Sequence, residues 1–168
     1  MEIWDAYKAD GSLAGFDLVR GEEAKIPEGI YHLVCDIMVK HRDGSILIMQ
    51  RDWNKEGYPG LFECSAGGSA LKGESPLEGA MRELREETGI VCSELEEINV
   101  VVEPKNHSLY HTFVCVVDCD KASVTLQEGE TISYRWLERE AFRAFYHSED
   151  IVPSHKQRFG AYIEKHIL

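Results

Sequence analysis

Basic residues are scarce in this chain. Its 168 residues hold 18 Lys and Arg against 30 Asp and Glu, a net charge of −12. A field of that sign repels nucleic acid and anionic membrane, so neither is an expected partner. A small phosphate compound stays admissible where cations mediate. Long apolar runs are missing as well. None approaches the ~18 residues of a membrane helix, and no signal peptide opens the chain, so a cytoplasmic protein is expected. Cysteine is sparse and poorly spaced for cross-linking. Cys35, Cys64, Cys92, Cys115 and Cys119 are odd in number, with no C-x-x-C pair. Cys115 and Cys119 sit in a strand-like stretch, so reduced thiols are expected. Internal repeats and low-complexity tracts are absent too.

What remains is the composition of a globule. The hydrophobic fraction is 43%, and a chain of about 150 residues hides roughly 70% of its surface, so one domain with a real core is expected. Residues 2–20 predict a hairpin around Asp10-Gly11, with Trp4 and Phe16 as packing residues. Pro27 and Gly29 mark a loop. Tyr31 to Val39 reads as a buried strand that starts beside His32, and Ser45 to Met49 returns the chain after Asp43-Gly44. Arg51 follows, with Lys55 soon after. Arg51 has two readings, a bidentate phosphate clamp or a surface arginine at a strand end. Later strands are expected over Leu95–Val102, Tyr110–Val117 and from Glu130 to Trp136. The Tyr110–Val117 strand is apolar on both sides and so is expected to be covered on both faces. Helices are expected over 139–146 and from Ser154, its N-cap, to the end, with Phe159, Tyr162, Ile163, His166 and Ile167 on one face.

One stretch organises the rest, G-S-A-L-K-G-E-S-P-L-E-G-A-M-R-E-L-R-E-E-T-G-I, from Gly68 to Ile90. Ser75 is a good N-cap, Pro76 suits the first helical position, Glu78 completes a capping box, and Gly89 supplies a left-handed C-terminal cap. Leu77, Ala80, Met81, Leu84 and Thr88 recur at helical steps and predict the buried stripe. Glu83, Glu86 and Glu87 share a second stripe, where three like charges repel one another. A divalent cation such as Mg²⁺ would cancel that repulsion, because hard ions prefer oxygen ligands and bridge to phosphates. Upstream, Ala66-Gly67-Gly68 lets the backbone approach a ligand closely.

Residues 68–90 resemble the box of the Nudix hydrolases, G-x5-E-x7-R-E-U-x-E-E-x-G-U with U aliphatic. Seven exact residues at about 7% usage each make a chance match on the order of one in a hundred million per start point. The resemblance covers about residues 30–145. It implies an α/β fold, an α/β/α sandwich around a mixed β-sheet, and hydrolysis of a diphosphate linkage in a nucleoside di- or triphosphate or a nucleoside diphosphate derivative. It implies Mg²⁺, with Mn²⁺ as the substitute, held by Glu83, Glu86 and Glu87. Arg82 would orient a glutamate, Glu74 would support the site, and a carbonyl near Gly67 or Gly68 would join the metal shell. Glu130 fits an E-x5-W spacing with Trp136 that some members use for a further ligand or base. Glu86, Glu87 and Glu130 are all candidates for the base. Gly79 departs mildly from the family, which more often has Ala there, and points to close packing.

Residues 30–75 are also similar to the branch that includes isopentenyl-diphosphate isomerase. Its catalytic cysteine would fall at Gly67, however; the nearest cysteine, Cys64, is three residues early. An isomerase and a non-catalytic nucleotide sensor are the alternative readings. The acidic charge and lack of a basic tract disfavour RNA decapping. The hairpin has two readings, a cover for a sheet edge or a pairing surface in a homodimer.

Overall fold

The computed structural model describes residues 2–168. Nine strands form one sheet. They are β1 (Ile3–Lys8), β2 (Leu13–Val19), β3 (Ile30–His41), β4 (Ile46–Arg51), β5 (Phe62–Glu63), β6 (Ala66–Ser69), β7 (Leu95–Glu103), β8 (Ser108–Val117) and β9 (Thr131–Leu137). The helices are α1 (Pro76–Thr88), α2 (Arg139–His147) and α3 (Ser154–His166).

β3 is the axis of the sheet. It runs parallel to β8 from His32↔Ser108 to His41↔Val117 and antiparallel to β6 from Val34↔Ser69 to Ile37↔Ala66. β1 joins its start through Tyr7↔Tyr31, and β4 and β9 continue the sheet beyond its far end. Parallel and antiparallel pairs therefore mix, as the resemblance implies. Alternation along β3 separates two cores. Leu33, Cys35, Ile37 and Val39 pack with Ala80 and Leu84 of α1. Met38 faces the other way, with Phe142 of α2 and Phe159 and Ile163 of α3. This is the expected α/β/α sandwich.

Three local expectations are corrected. On α1 the buried residues are Gly79, Ala80, Leu84, Glu87 and Thr88, whereas Leu77 is 42% exposed. The helix turns its glycine and one carboxylate toward the sheet, a choice that apolar periodicity cannot register. On β8, Val114 is buried but Val116 is 57% exposed, because the α2–α3 layer reaches only the former. At α3 the cap is Pro153, and Ser154 is already helical. The stretch through Gly67 and Gly68 forms β6, bonded along β3.

Candidate active site

The site is built on the junction of β6 and α1. The Ser75 hydroxyl accepts from the Glu78 N–H, and the Glu78 carboxylate accepts from the Ser75 N–H at 2.8 Å. Gly89, at φ 72°, closes the other end. Between these caps the helix is held to β6 by Arg82. Its Nε and Nη2 grip the two Glu74 oxygens at 2.8 and 2.9 Å, and Nη2 also donates to the Ser69 carbonyl at 3.0 Å. Its Nη1 donates to Glu83 at 2.7 Å and to Glu86 at 3.1 Å. An arginine has five N–H donors, and these contacts occupy all of them. Burial works to raise the Glu74 pKa, but Arg82 and the Leu71 N–H outweigh it and hold the carboxyl below its ordinary value.

Glu87 has a different environment. It is buried and accepts the Gly67 N–H at 2.9 Å. Burial first, then the nearby Glu63 charge, push its pKa well above the ordinary value. Burial likewise raises Glu83, with Arg82 opposing. Gly68 leaves room for the Glu83 carboxylate, because a Cβ there would lie 2.6 Å from Oε2.

These residues open into a cleft of about 320 Å³. Glu2, Glu23, Glu83, Glu86, Glu87 and Glu130 bring carboxylates to it, and Gly67, Gly68 and Arg82 also line it. Glu130 is ion-paired to Lys55 at its edge. The donor set is oxygen only, and the carboxylates crowd without enough cations to balance them, which is the chemistry that hard divalent ions take. Glu83 and Glu86 both turn onto Arg82, so among the described residues the three box carboxylates do not already converge as a ligand cluster. Holding an ion requires those two to exchange Arg82 for the cation. A larger cleft, about 490 Å³, lies between the β3–β4 turn and the end of α3, and contains none of the box residues.

Most of the residues singled out from the sequence therefore meet in one place: Glu83, Glu86, Glu87, Glu130, Arg82, Gly67 and Gly68 in the cleft, with Glu74 directly behind it. Arg51 does not line it. Its guanidinium is held by Glu63 and by the Gly57 carbonyl, the latter at 2.8 Å, so the structure does not bring the expected phosphate clamp to the cleft. Cys64 is fully buried and hydrogen-bonded to His155 at 3.3 Å, and burial pushes its thiol pKa far up. The cleft position where the isomerase branch carries its cysteine is Gly67. Arg20 and Trp4, also in the lining, gave no signal in the sequence. Neither belongs to a motif, and only the long-range pairing of β1 with β3 brings them to the box.

An α/β/α sandwich that presents this carboxylate helix at a polar cleft defines a hydrolase scaffold. The NUDIX domain family model matches residues 30–157. The chain belongs to the Nudix hydrolase family. It is 32% identical over 154 residues to an uncharacterised Nudix hydrolase of Listeria monocytogenes, covering 91% of this chain and 89% of that one. Among solved structures it is similar to the DR0079 protein of Deinococcus radiodurans, with a TM-score of 0.70 and 19% identity over 89% of this chain and 91% of the other. It is also similar to the NUDIX domain of Shewanella oneidensis NrtR complexed with ADP ribose, with a TM-score of 0.64 and 17% identity over 88% and 99% of the two chains.

Proposed function

We propose that this enzyme is a Mg²⁺-dependent pyrophosphohydrolase that cleaves the diphosphate linkage of a nucleoside di- or triphosphate or a nucleoside diphosphate derivative such as ADP-ribose. The observation that carries the reading is Glu87, a buried carboxylate whose one donor among the described residues is the Gly67 N–H, set in a cleft crowded with further carboxylates. A buried, unbalanced anion is costly without a cation, and Glu83 and Glu86 share its face of α1. Glu83, Glu86 and Glu87 would hold Mg²⁺, or Mn²⁺ in its place. When bound, the ion supplies charge neutralisation at the phosphate oxygens and a more acidic water.

The chain's own groups do the rest. Arg82, anchored to Glu74 and the Ser69 carbonyl, holds α1 against β6 and so sets where Glu83 and Glu86 stand. With Glu83, Glu86 and Glu87 holding the ion, Glu2 paired with Arg20 and Glu23 accepting the Gly21 N–H, Glu130 would be the carboxylate that takes the proton of the attacking water. Lys55, paired with Glu130, limits the repulsion between that carboxylate and the incoming substrate.

The test is incubation of the pure protein with Mg²⁺ and a panel of nucleoside di- and triphosphates, ADP-ribose, nucleotide sugars and dinucleoside polyphosphates. Released phosphate and diphosphate are measured, with Glu87→Gln as control. Turnover of one class that disappears in the variant establishes the reading. Tight nucleotide binding without turnover by the wild type would replace it with a sensor.

A further inference from the structure

The hairpin β1–β2 is a wall of the cleft as well as a cover for the sheet. Three contacts pin it to the residues that lead into α1. The Lys72 N–H donates to the Ile3 carbonyl at 2.8 Å, the Gly73 N–H to Asp5 at 2.7 Å, and the Lys72 ammonium pairs with Asp17 at 2.7 Å. Trp4 stacks on His32 with ring centroids 4.3 Å apart. The hairpin thereby places Glu2, Trp4 and Arg20 in the lining of the cleft that holds Glu83 and Glu87.

We infer that Arg20 of the hairpin, together with Lys55 of the loop after β4, binds the phosphate of the substrate's diphosphate that lies away from the box carboxylates. The inference rests on the hydrolase reading and adds the part of the site that recognises a diphosphate as opposed to a monophosphate.

The basic side chains of the lining are Arg20, His32, Lys55 and Arg82. Arg82 keeps Nε and Nη2 on Glu74 and the Ser69 carbonyl, and its Nη1 lies between Glu83 and Glu86, on the metal side of the cleft. His32 is buried and hydrogen-bonded to Ser69 and Ser108. Arg51 lies outside the lining. Arg20, by contrast, donates from Nη1 to Glu2 at 2.8 Å, with its side chain 55% exposed, and its other N–H groups have no partner among the described residues. A planar fork with donors to spare is the group suited to a phosphate, and Lys55, whose ammonium also pairs with Glu130, adds a second charge in the same lining. Trp4 gives an independent indication. It is 3% exposed, lines the same cleft, and its indole N–H has no acceptor among the described residues. Buried donors are rarely left unpaired, and an anion in the cleft is a ready acceptor.

The charge balance gives the same division of labour. Carboxylates dominate the lining, so a phosphate enters only where a cation receives it. One phosphate would lie at the ion that Glu83, Glu86 and Glu87 would hold, and the next at Arg20 and Lys55. A monophosphate can engage one of these two places, and a diphosphate both.

Titration calorimetry tests this in two stages, first with Mn²⁺ alone, then with α,β-methylene-ADP or AMP in the presence of Mg²⁺. Arg20→Ala is expected to bind Mn²⁺ as the wild type does, to lose tenfold or more in affinity for α,β-methylene-ADP, and to keep its AMP affinity within about threefold. Arg20→Lys should recover most of the loss. Glu2→Gln, which releases the Arg20 fork, should tighten α,β-methylene-ADP binding, a gain that a purely structural role for the hairpin does not produce. Unchanged analogue binding by Arg20→Ala overturns the inference. So does an equal loss of AMP and analogue, or a wild type that takes Mn²⁺ but discriminates neither ligand. A wild type that takes no Mn²⁺ overturns the hydrolase reading itself, and this inference with it.

Discussion

The N–H of Gly67 points at the buried carboxylate of Glu87, 2.9 Å away. That bond joins β6 to α1 in the lining of the cleft, and it is the one hydrogen bond that Glu87 receives among the described residues. A single neutral donor does not offset the burial of a carboxylate, and Glu63 nearby makes the ionised form costlier still. Glu87→Gln keeps the size and removes the charge. The rate is expected to fall about a hundredfold or more, equivalent to roughly 3 kcal/mol of barrier. Thermal melts in chelator should show the variant at least as stable as the wild type, since no charge is left to bury. Added Mg²⁺ should raise the wild-type melting temperature and leave the variant nearly unmoved. A variant that gains as much from Mg²⁺ as the wild type would exclude Glu87 from the metal site.

Adjacent glycines in β6 have separate duties, and alanine at each should distinguish them. A Cβ at Gly67 would lie 2.0 Å from the Cys35 carbonyl oxygen and 2.9 Å from the Asp36 Cα, both backbone atoms of the central strand. They cannot move without parting β3 from β6. Gly67→Ala should therefore fail to fold or lose several kcal/mol, as overpacking against fixed atoms does at its upper end, about 3 kcal/mol or more. The atoms nearest a Cβ at Gly68 are those of the Glu83 carboxylate, the far end of a flexible side chain. Gly68→Ala should keep a near wild-type melting temperature while activity falls tenfold or more. Equal thermal damage in both variants would refute this separation.

How much of this was legible in the sequence depends on the range of the interaction. The α1 signals are local: Ser75, Pro76, Glu78 and Gly89 act within one turn of themselves, and the capping box and left-handed cap form as their chemistry predicts. The alternation of Tyr31–Val39 likewise needs only one strand and two cores. The hairpin strands were legible too, but their position over the box was not. It depends on Tyr7 meeting Tyr31 and on Lys72 meeting Ile3, pairings that leave no mark in either segment alone. Arg51 shows the converse. At a strand end it reads as a phosphate clamp or a surface arginine, yet Glu63, from a short strand that periodicity does not reveal, holds its guanidinium.

His32 sets a limit on the acid side. Burial, opposed by the Glu23 charge and assisted by His107, pushes its pKa down from 6.5 to about 4. The folded state therefore holds the neutral ring, while the unfolded chain takes up a proton near pH 6.5. The stability that this confers is complete above pH 6.5 and is lost as pH falls toward 4. The slope contributed is at most about 1.4 kcal/mol per pH unit, and about 3 kcal/mol in all. Urea unfolding of His32→Gln between pH 7 and pH 4 should show a shallower acid slope than the wild type. An identical slope would remove His32 as a cause and leave His155, buried and also depressed, as the residue to test.

Gly79 should resist the substitution that helix propensity recommends. In mid-helix, Gly→Ala ordinarily gains about 1 kcal/mol. Here an added Cβ would stand 3.0 Å from the Ala70 Cβ and 3.3 Å from the Cys35 Sγ. Neither neighbour yields easily. Ala70 is tied to β3 through its N–H to the Leu33 carbonyl at 3.0 Å, and the Cys35 thiol lies 3.2 Å from the Pro76 carbonyl it donates to. The helix has to back away, at an overpacking cost of about 1–3 kcal/mol that cancels or exceeds the gain. Gly79→Ala should therefore be destabilised by about 1 kcal/mol. Activity should fall as well, because the same interface carries the Gly67–Glu87 bond. Cys35→Ala removes the sulfur that the new methyl meets, so the double variant should be more stable than the two single effects add up to. A double-mutant cycle in urea measures that coupling directly. Simple additivity, or a plain gain from Gly79→Ala, would show that α1 has slack against the sheet, and that Gly79 is there for some reason other than close packing.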